Sequence, residues 1–180
     1  MSTEILFQEL KHIFDTHAIL CDEPMANHTT FNVGGPADYL VRPQNADEIH
    51  GAIEAAKKAS MPWWVIGCGS DLLISDEGLR GVVIKIGDAL SGITIEGNTI
   101  VAQAGATNEA VAKAACAAGL AGYEFASGIP GSIGGAAIMN AGAYEGEFKD
   151  VARSVTCLYP DGSVKTLEAK EADWFLVFLR

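Results

Sequence analysis

The residues of this chain best suited to chemistry lie where glycine is concentrated. Between Gly122 and Phe148 the sequence reads GYEFASGIPGSIGGAAIMNAGAYEGEF. Gly128, Gly131 and Gly134 recur every third residue, Gly135 follows at once, and Ala136, Ala137, Ala141 and Ala143 keep the neighbouring side chains small. Glycine is entropically costly in any ordered segment, so a run this dense implies positive φ angles or a ligand pressed against main-chain N–H groups. A second stretch, Gly67-Cys68-Gly69-Ser70-Asp71, has the same character. There the N–H groups of Gly67 to Leu72 and the Ser70 hydroxyl would suit a pyrophosphate. Each stretch also has a structural reading: a small-residue turn that lets helices pack closely, and a plain chain reversal. The longer segment is not a P-loop, because Lys is absent from it until Lys149. It is not a Rossmann fingerprint either, since no G-x-G-x-x-G is set between a strand and a helix.

Charge limits how a phosphate ligand would be held. Twelve basic against 23 acidic residues give a formal charge of −11, which argues against nucleic acid and anionic membrane as partners. Any phosphate must be gripped locally, by glycine loops and helix N-termini. With 49% hydrophobic residues in 180, the chain reads as an ordered globular protein of one domain or two small lobes. Cys21, Cys68, Cys116 and Cys157 form no C-x-x-C pair, which fits a reducing compartment. With no signal peptide and no membrane-length apolar run, a cytoplasmic protein is expected. Four histidines without clustered ligands give no metal site, and His12 and His17 read as solvated.

The elements that would position the loops follow from pattern. Ser2 to Ala18 carries Ile5, Leu6, Leu10, Ile13 and Phe14 on roughly one helical face. Asn27 to Gly35 is turn-rich and leads into a strand at Ala37–Val41. Asn45 to Ser60 reads as a capped helix burying Ile49, Ile53 and Ala56, followed by a strand at Trp63–Ile66, the first glycine loop, and an apolar stretch at Leu72–Ile74. Val82–Ile86 is a further strand, and Gly87–Ser91 marks a lobe boundary. Beyond it come a hairpin at Ile93–Glu96 and Thr99–Ala102 with Gly97-Asn98 as its turn, an alanine-rich helix at Asn108–Ala118 ended by Gly119, the long glycine segment, and a second hairpin at Arg153–Tyr159 and Ser163–Leu167.

Three blocks carry a family resemblance: GIPGSIGGAAIMNAGAYEGE, HTTFNVGGPADYLVRP from His28 to Pro43, and WWVIGCGSDLLISDEGLRGVVIKI from Trp63 to Ile86. In content, order and spacing they closely resemble UDP-N-acetylenolpyruvoylglucosamine reductase. The resemblance implies an α+β protein, a two-lobed α/β FAD-binding fold of the PCMH (vanillyl-alcohol oxidase-like) type, with lobes at residues 1–87 and 88–175 and one non-covalent FAD in the cleft between them. It also implies NADPH as co-substrate and a UDP-sugar enolpyruvyl ether as substrate, reduced to UDP-N-acetylmuramate in peptidoglycan precursor synthesis, by a monomer.

For cofactor binding the resemblance points to Thr30, Gly34 and Gly35; to Ile66, Gly67, Cys68, Gly69, Ser70, Asp71 and Leu72; and to Gly128, Ile129, Pro130, Gly131, Ser132, Gly134, Gly135, Asn140, Ala141 and Gly142. Tyr144 would border the substrate side. Ile129, Ile133, Ile138 and Met139 would form an apolar slot for the flavin ring or else ordinary core. Cys68 is expected as a small buried thiol. Where the family has a basic residue and Asn, this chain has Asn32 and Asp71. The sequence stops at Arg180, before the family's serine proton donor, its glutamate and the substrate domain, and residues 176–180 depart from the Gly-Tyr-Arg expected after Phe175. No catalytic residue is therefore assigned, and the apolar tail is expected to favour aggregation. Two other readings stay open: a non-catalytic FAD-binding fragment of that enzyme, and a different FAD-dependent oxidase of the same fold.

Overall fold

Asn45 sets the start of the main helix of the protein. Its Oδ1 accepts the Glu48 N–H at 2.9 Å, Asp47 and Glu48 occupy the first turn, and Lys57 and Lys58 the last. A side-chain cap and charges matched to the dipole at both ends thus define the helix Ala46–Lys58. The coordinates are a computed structural model, and the structure describes residues 2–172. The chain divides into two compact units. One runs to Ala89 and takes in Pro160–Gly162; the other runs from Leu90 to Tyr159 and resumes at Ser163.

The first unit contains α1 (Ser2–Leu10), β1 (Leu20–Pro24), β2 (Pro36–Val41), α2 (Ala46–Lys58), β3 (Trp63–Ile66) and β4 (Leu79–Lys85). Its sheet has the order β1-β2-β4-β3, with β2, β4 and β3 parallel and β1 antiparallel at one edge. The central strand β4 is apolar on both faces, as a covered parallel strand must be. Val82 and Ile84 pack with Val41 against Leu6, Leu10, Phe14, Ala52, Ile53 and Ala56, while Val83 packs on the other face with Met25, Ala37, Leu40, Ile66 and Ile74. Each large aliphatic side chain so buried is worth about 1.5–3 kcal/mol.

The structure departs from expectation in the first helix and adds a strand before β2. The first helix ends at Leu10 and not at Ala18: the His12 and Ile13 N–H groups bond the carbonyls three residues back, at Glu9 and Leu10, and Asp15, with extended ψ (141°), then leads into a short 3-10 turn at Thr16–Ala18. Ile5 faces outward, although Leu6, Leu10 and Phe14 are buried as expected. Strand β1 was not legible, since Leu-Cys-Asp-Glu-Pro has neither β-branched residues nor alternation. The apolar stretch Leu72–Ile74 forms no strand, and of its residues Ile74 enters the core while Leu73 is 80% exposed.

The second unit contains the hairpin β5 (Ile93–Glu96) and β6 (Thr99–Ala102), then α3 (Asn108–Ala117), a 3-10 turn at Glu124–Gly128, α4 (Ile133–Met139), the short strands β7 (Gly142–Ala143) and β8 (Gly146–Glu147), α5 (Phe148–Val151), and the hairpin β9 (Ser154–Leu158) and β10 (Val164–Glu168). Gly97, first of the two turn residues between β5 and β6, has φ +64°, which suits a tight hairpin. Thr107 caps α3 by accepting the Ala110 N–H at 3.1 Å.

The expected open glycine loop is in part a helix, α4. Ser132 caps it through the Gly135 N–H, and the N–H groups of Ile133 and Gly134 are tied to the carbonyls of Ala106 and Ala104 at 2.8 and 2.9 Å. Tertiary anchoring thus overrides the poor helix propensity of Gly134-Gly135. Among the described residues no helix is long and apolar enough to cross a membrane. The tail at 176–180, with Trp174 and Phe175 before it, lies outside the described residues.

Candidate functional site

Strand β3 delivers the chain at Ile66 into the loop Gly67–Leu72, at the carboxyl end of a parallel sheet, where ligands of open α/β sheets bind. Among the described residues the N–H groups of Gly67, Cys68, Gly69, Asp71 and Leu72 donate to no protein acceptor. Neighbouring chain fixes the loop's shape. The Thr30 N–H donates to the Gly69 carbonyl at 3.1 Å, the Thr30 hydroxyl to the Ser70 carbonyl at 3.4 Å, and the Ile86 N–H to the Ile66 carbonyl at 2.8 Å. Gly69 has φ +69° and lies against the His28 carbonyl.

Other residues expected around this loop have roles that the chain itself explains. A Cβ at Gly35 would stand 2.0 Å from the Asp76 oxygen, and the carbonyls of Gly34 and Gly35 accept the N–H groups of Ala26 and Met25 at 3.1 Å. These two glycines are needed for packing whether or not a ligand is bound. Cys68 is exposed, contrary to the buried thiol expected, because the loop turns its side chain outward; Asp71 and Asn32 are exposed as well.

Next to the loop lies a cluster that no sequence pattern announced. His28, 4% exposed, places Nε2 2.9 Å from Glu23 Oε1 and Nδ1 3.0 Å from Lys85 Nζ. An ammonium has only donors, so Nδ1 accepts from Lys85 and Nε2–H donates to Glu23. Burial raises the Glu23 pKa, but hydrogen bonds from His28 and Asn27 outweigh it and hold the carboxyl below its usual value. Burial, with Arg42 nearby, pushes the Lys85 ammonium down.

In the second unit the stretch from Gly128 to Gly142 is held from below by Asn108, which is 1% exposed. Asn108 donates through Nδ2 to the Ile129 carbonyl at 3.3 Å, its N–H bonds the Gly131 carbonyl at 3.1 Å, and its Oδ1 accepts the Tyr123 hydroxyl at 3.0 Å. Burial lifts the Tyr123 phenol to about 12. Sequence reasoning read Asn108 only as the start of a helix; a polar residue just after a cap gives no local hint of its partners.

What this scaffold displays is bare backbone. The N–H groups of Gly131 and Ser132 have no acceptor among the described residues. Gly128 and Gly135 are exposed, neither has a positive φ, and a Cβ would meet nothing within 4 Å at Gly128 and only Ser132 Oγ, at 3.6 Å, at Gly135. Within the described chain nothing requires glycine at either position, whereas Gly134 is crowded by Ala104. Ile138 is 71% exposed, which removes the core reading for that residue; Ile129, Ile133 and Met139 are half-buried. Pro130 lies on the surface.

Asn140 has a structural explanation. It closes α4 in the left-handed conformation, donates through Nδ2 to Glu147 at 2.9 Å and accepts the Lys149 N–H at 3.0 Å. Lys149 also pairs with Glu147, and the Phe148 N–H donates to the Ala141 carbonyl at 2.9 Å, which clamps the β7–β8 hairpin. At its tip Tyr144 is 91% exposed and borders a cavity of about 460 Å³ lined by Gly122, Glu124, Phe125, Glu145 and Gly146. No group of three or more His, Cys, Asp or Glu able to hold a metal occurs among the described residues.

A parallel-sheet unit and a hairpin-rich unit, each with a glycine segment carrying main-chain donors, define an α+β fold suited to a phosphate-bearing ligand. The chain matches the family described as FAD binding domain over residues 37–168 and belongs to that family. It is 43% identical over 167 residues to the UDP-N-acetylenolpyruvoylglucosamine reductase of Alkaliphilus oremlandii, which covers 93% of this chain and 55% of that relative. Against the same reductase of Agathobacter rectalis the identity is 52%, over 86% of this chain and 53% of the relative. The crystal structure of UDP-N-acetylenolpyruvylglucosamine reductase from Thermus caldophilus is similar at 31% identity with a TM-score of 0.68, over 85% of this chain and 52% of that one. p-Cresol methylhydroxylase shares the fold alone, at 13% identity and a TM-score of 0.73. The chain spans about half the length of the curated relatives it matches.

Proposed function

We propose that the chain binds one FAD non-covalently, through residues 66–72 with Thr30 in the first lobe and residues 128–142 in the second. In this reading it is the flavin-binding portion of a cytoplasmic UDP-N-acetylenolpyruvoylglucosamine reductase. The observation that carries the reading is the set of main-chain N–H donors in both glycine segments that have no acceptor among the described residues, in a protein whose net charge of −11 repels phosphate elsewhere. Gly128 and Gly135 support it, because their missing side chains leave room for a ligand to lie on the backbone.

Bound FAD would supply hydride chemistry, accepting from NADPH and donating to the enolpyruvyl ether of a UDP-sugar. The chain's own part is to bind and orient: N–H groups of Gly67 to Leu72 hold phosphate, exposed Ile138 and half-buried Met139 offer apolar surface to a ring, and Tyr144 lies toward the substrate. No proton donor is assigned among the described residues. The test is anaerobic addition of NADPH to the FAD-loaded chain, followed by the enolpyruvyl ether. Bleaching of the flavin band by NADPH and its return with the ether supports the full reading. Bleaching without return assigns flavin reduction to these residues and substrate reduction to sequence beyond them. A loaded chain that NADPH does not bleach contradicts the reductase reading.

A further inference from the structure

We propose that Lys85 is a phosphate-binding residue, held by Glu23 and His28, that faces the ligand pyrophosphate on the loop Gly67–Leu72; this rests on the FAD reading above. The first support is position. Lys85 ends β4 in register with Ile66, the residue from which the loop departs, and the next N–H, of Ile86, bonds the Ile66 carbonyl at 2.8 Å. Cys68, inside the loop, is among the groups whose field the ammonium feels, together with Arg42, Asp88 and Glu23.

The second support is charge. Three of the other five cations of this unit are matched to carboxylates, Arg80 to Asp38 at 2.6 Å, Lys57 to Glu54 at 2.7 Å and Lys58 to Glu9 at 3.0 Å, while Lys11 lies over the Phe7 ring and Arg42 is exposed. Among the described residues Lys85 has no direct carboxylate partner. Its hydrogen-bond partner is a neutral imidazole nitrogen, which consumes one of its three donors and leaves two.

The third is rigidity. His28 is buried, its tautomer is fixed by Glu23 on the far side, and its own carbonyl lies against Gly69. The same residue therefore aims the ammonium and shapes the loop. A half-desolvated cation pushed down in pKa by burial gains most from an anion placed beside it.

The experiment titrates the intact chain, and its Lys85→Gln and Lys85→Arg variants, with FAD and with riboflavin, which has no phosphate. Wild-type affinity for FAD that falls at least about tenfold in Lys85→Gln, recovers in part in Lys85→Arg, and is matched by unchanged riboflavin binding supports the assignment. A Lys85→Gln chain that binds FAD as the wild type does overturns it and leaves the FAD reading intact. A folded wild-type chain that binds neither flavin overturns the FAD reading and the assignment with it. If the variants do not fold, acetylation footprinting of the wild type decides. Protection of Lys85 by FAD but not by riboflavin, with Lys57 and Lys58 reactive throughout, supports the assignment; equal reactivity of Lys85 in all three states overturns it.

Discussion

Gly69 presses on His28 so closely that a Cβ built on the glycine would stand 1.9 Å from the histidine carbonyl oxygen. With φ at +69°, Gly69 is also in a conformation that L side chains rarely adopt. Gly69→Ala therefore combines backbone strain with a collision that no side-chain movement relieves. We expect a loss of roughly 2–5 kcal/mol, measured by chemical denaturation. A loss under about 1 kcal/mol would show that the loop can shift away from His28.

Gly135 makes the opposite forecast. It lies in α4 with ordinary φ and free space around it, so Gly135→Ala should stabilise the fold by about 0.5–1 kcal/mol through helix propensity. If a flavin lies on this backbone, the added methyl should nevertheless weaken FAD binding by about tenfold or more. Thermal melts and flavin titration of one variant read the two effects separately. Higher stability with unchanged FAD affinity would remove Gly135 from the site.

Tyr123 and Asn108 form the buried brace under the second glycine segment. Tyr123→Phe leaves Asn108 Oδ1 without that donor, at an expected cost of about 1–3 kcal/mol. The phenol also gives a pH signature. Its pKa is raised from 10.0 to about 12 in the folded protein, so the folded state holds the proton more tightly than the unfolded one. The stabilisation is complete below pH 10.0 and is lost as pH rises through about 12. Ultraviolet titration should show a phenol ionising late, and Tyr123→Phe should abolish that late component.

Glu23 gives the acid-side counterpart. Burial raises its pKa, yet the His28 and Asn27 hydrogen bonds more than offset this and leave the carboxyl below its ordinary 4.5. A depressed carboxyl stabilises the fold above the unfolded pKa, and that stabilisation disappears as pH falls through the folded value. Denaturation midpoints of the wild type should fall on acidification below about pH 4.5, and those of Glu23→Gln should fall less steeply. Parallel curves would mean that the His28 contact does not discriminate between the two protonation states.

Where the sequence carried strong local signals, the fold was legible. Asn45 as a cap, Gly97-Asn98 as a turn, Gly119 after α3 and the apolar run Trp63–Ile66 all mark observed boundaries. Local signals failed where tertiary contacts decide. Strand β1 is a polar edge that exists because β2 accepts it, and α4 is a helix of poor formers fixed by Ala104, Ala106 and Ser132.

The candidate site divides in the same way. Glycine density pointed to both segments, but could not separate a glycine needed by the chain, such as Gly69, from Gly128 and Gly135, which no neighbouring group among the described residues requires. His28 and Lys85 meet across 57 positions and Asn108 and Tyr123 across 15, and no periodicity encodes such pairs. The sequence reading placed Asn140 with the cofactor; in the structure its amide is bonded to Glu147 and to the Lys149 N–H.

The most direct test of the central claim is the visible absorption spectrum of the purified chain after incubation with FAD and desalting. The account predicts a retained flavin band that denaturant releases as free FAD, at close to one flavin per chain. A chain shown to be folded by circular dichroism that retains no flavin would contradict it.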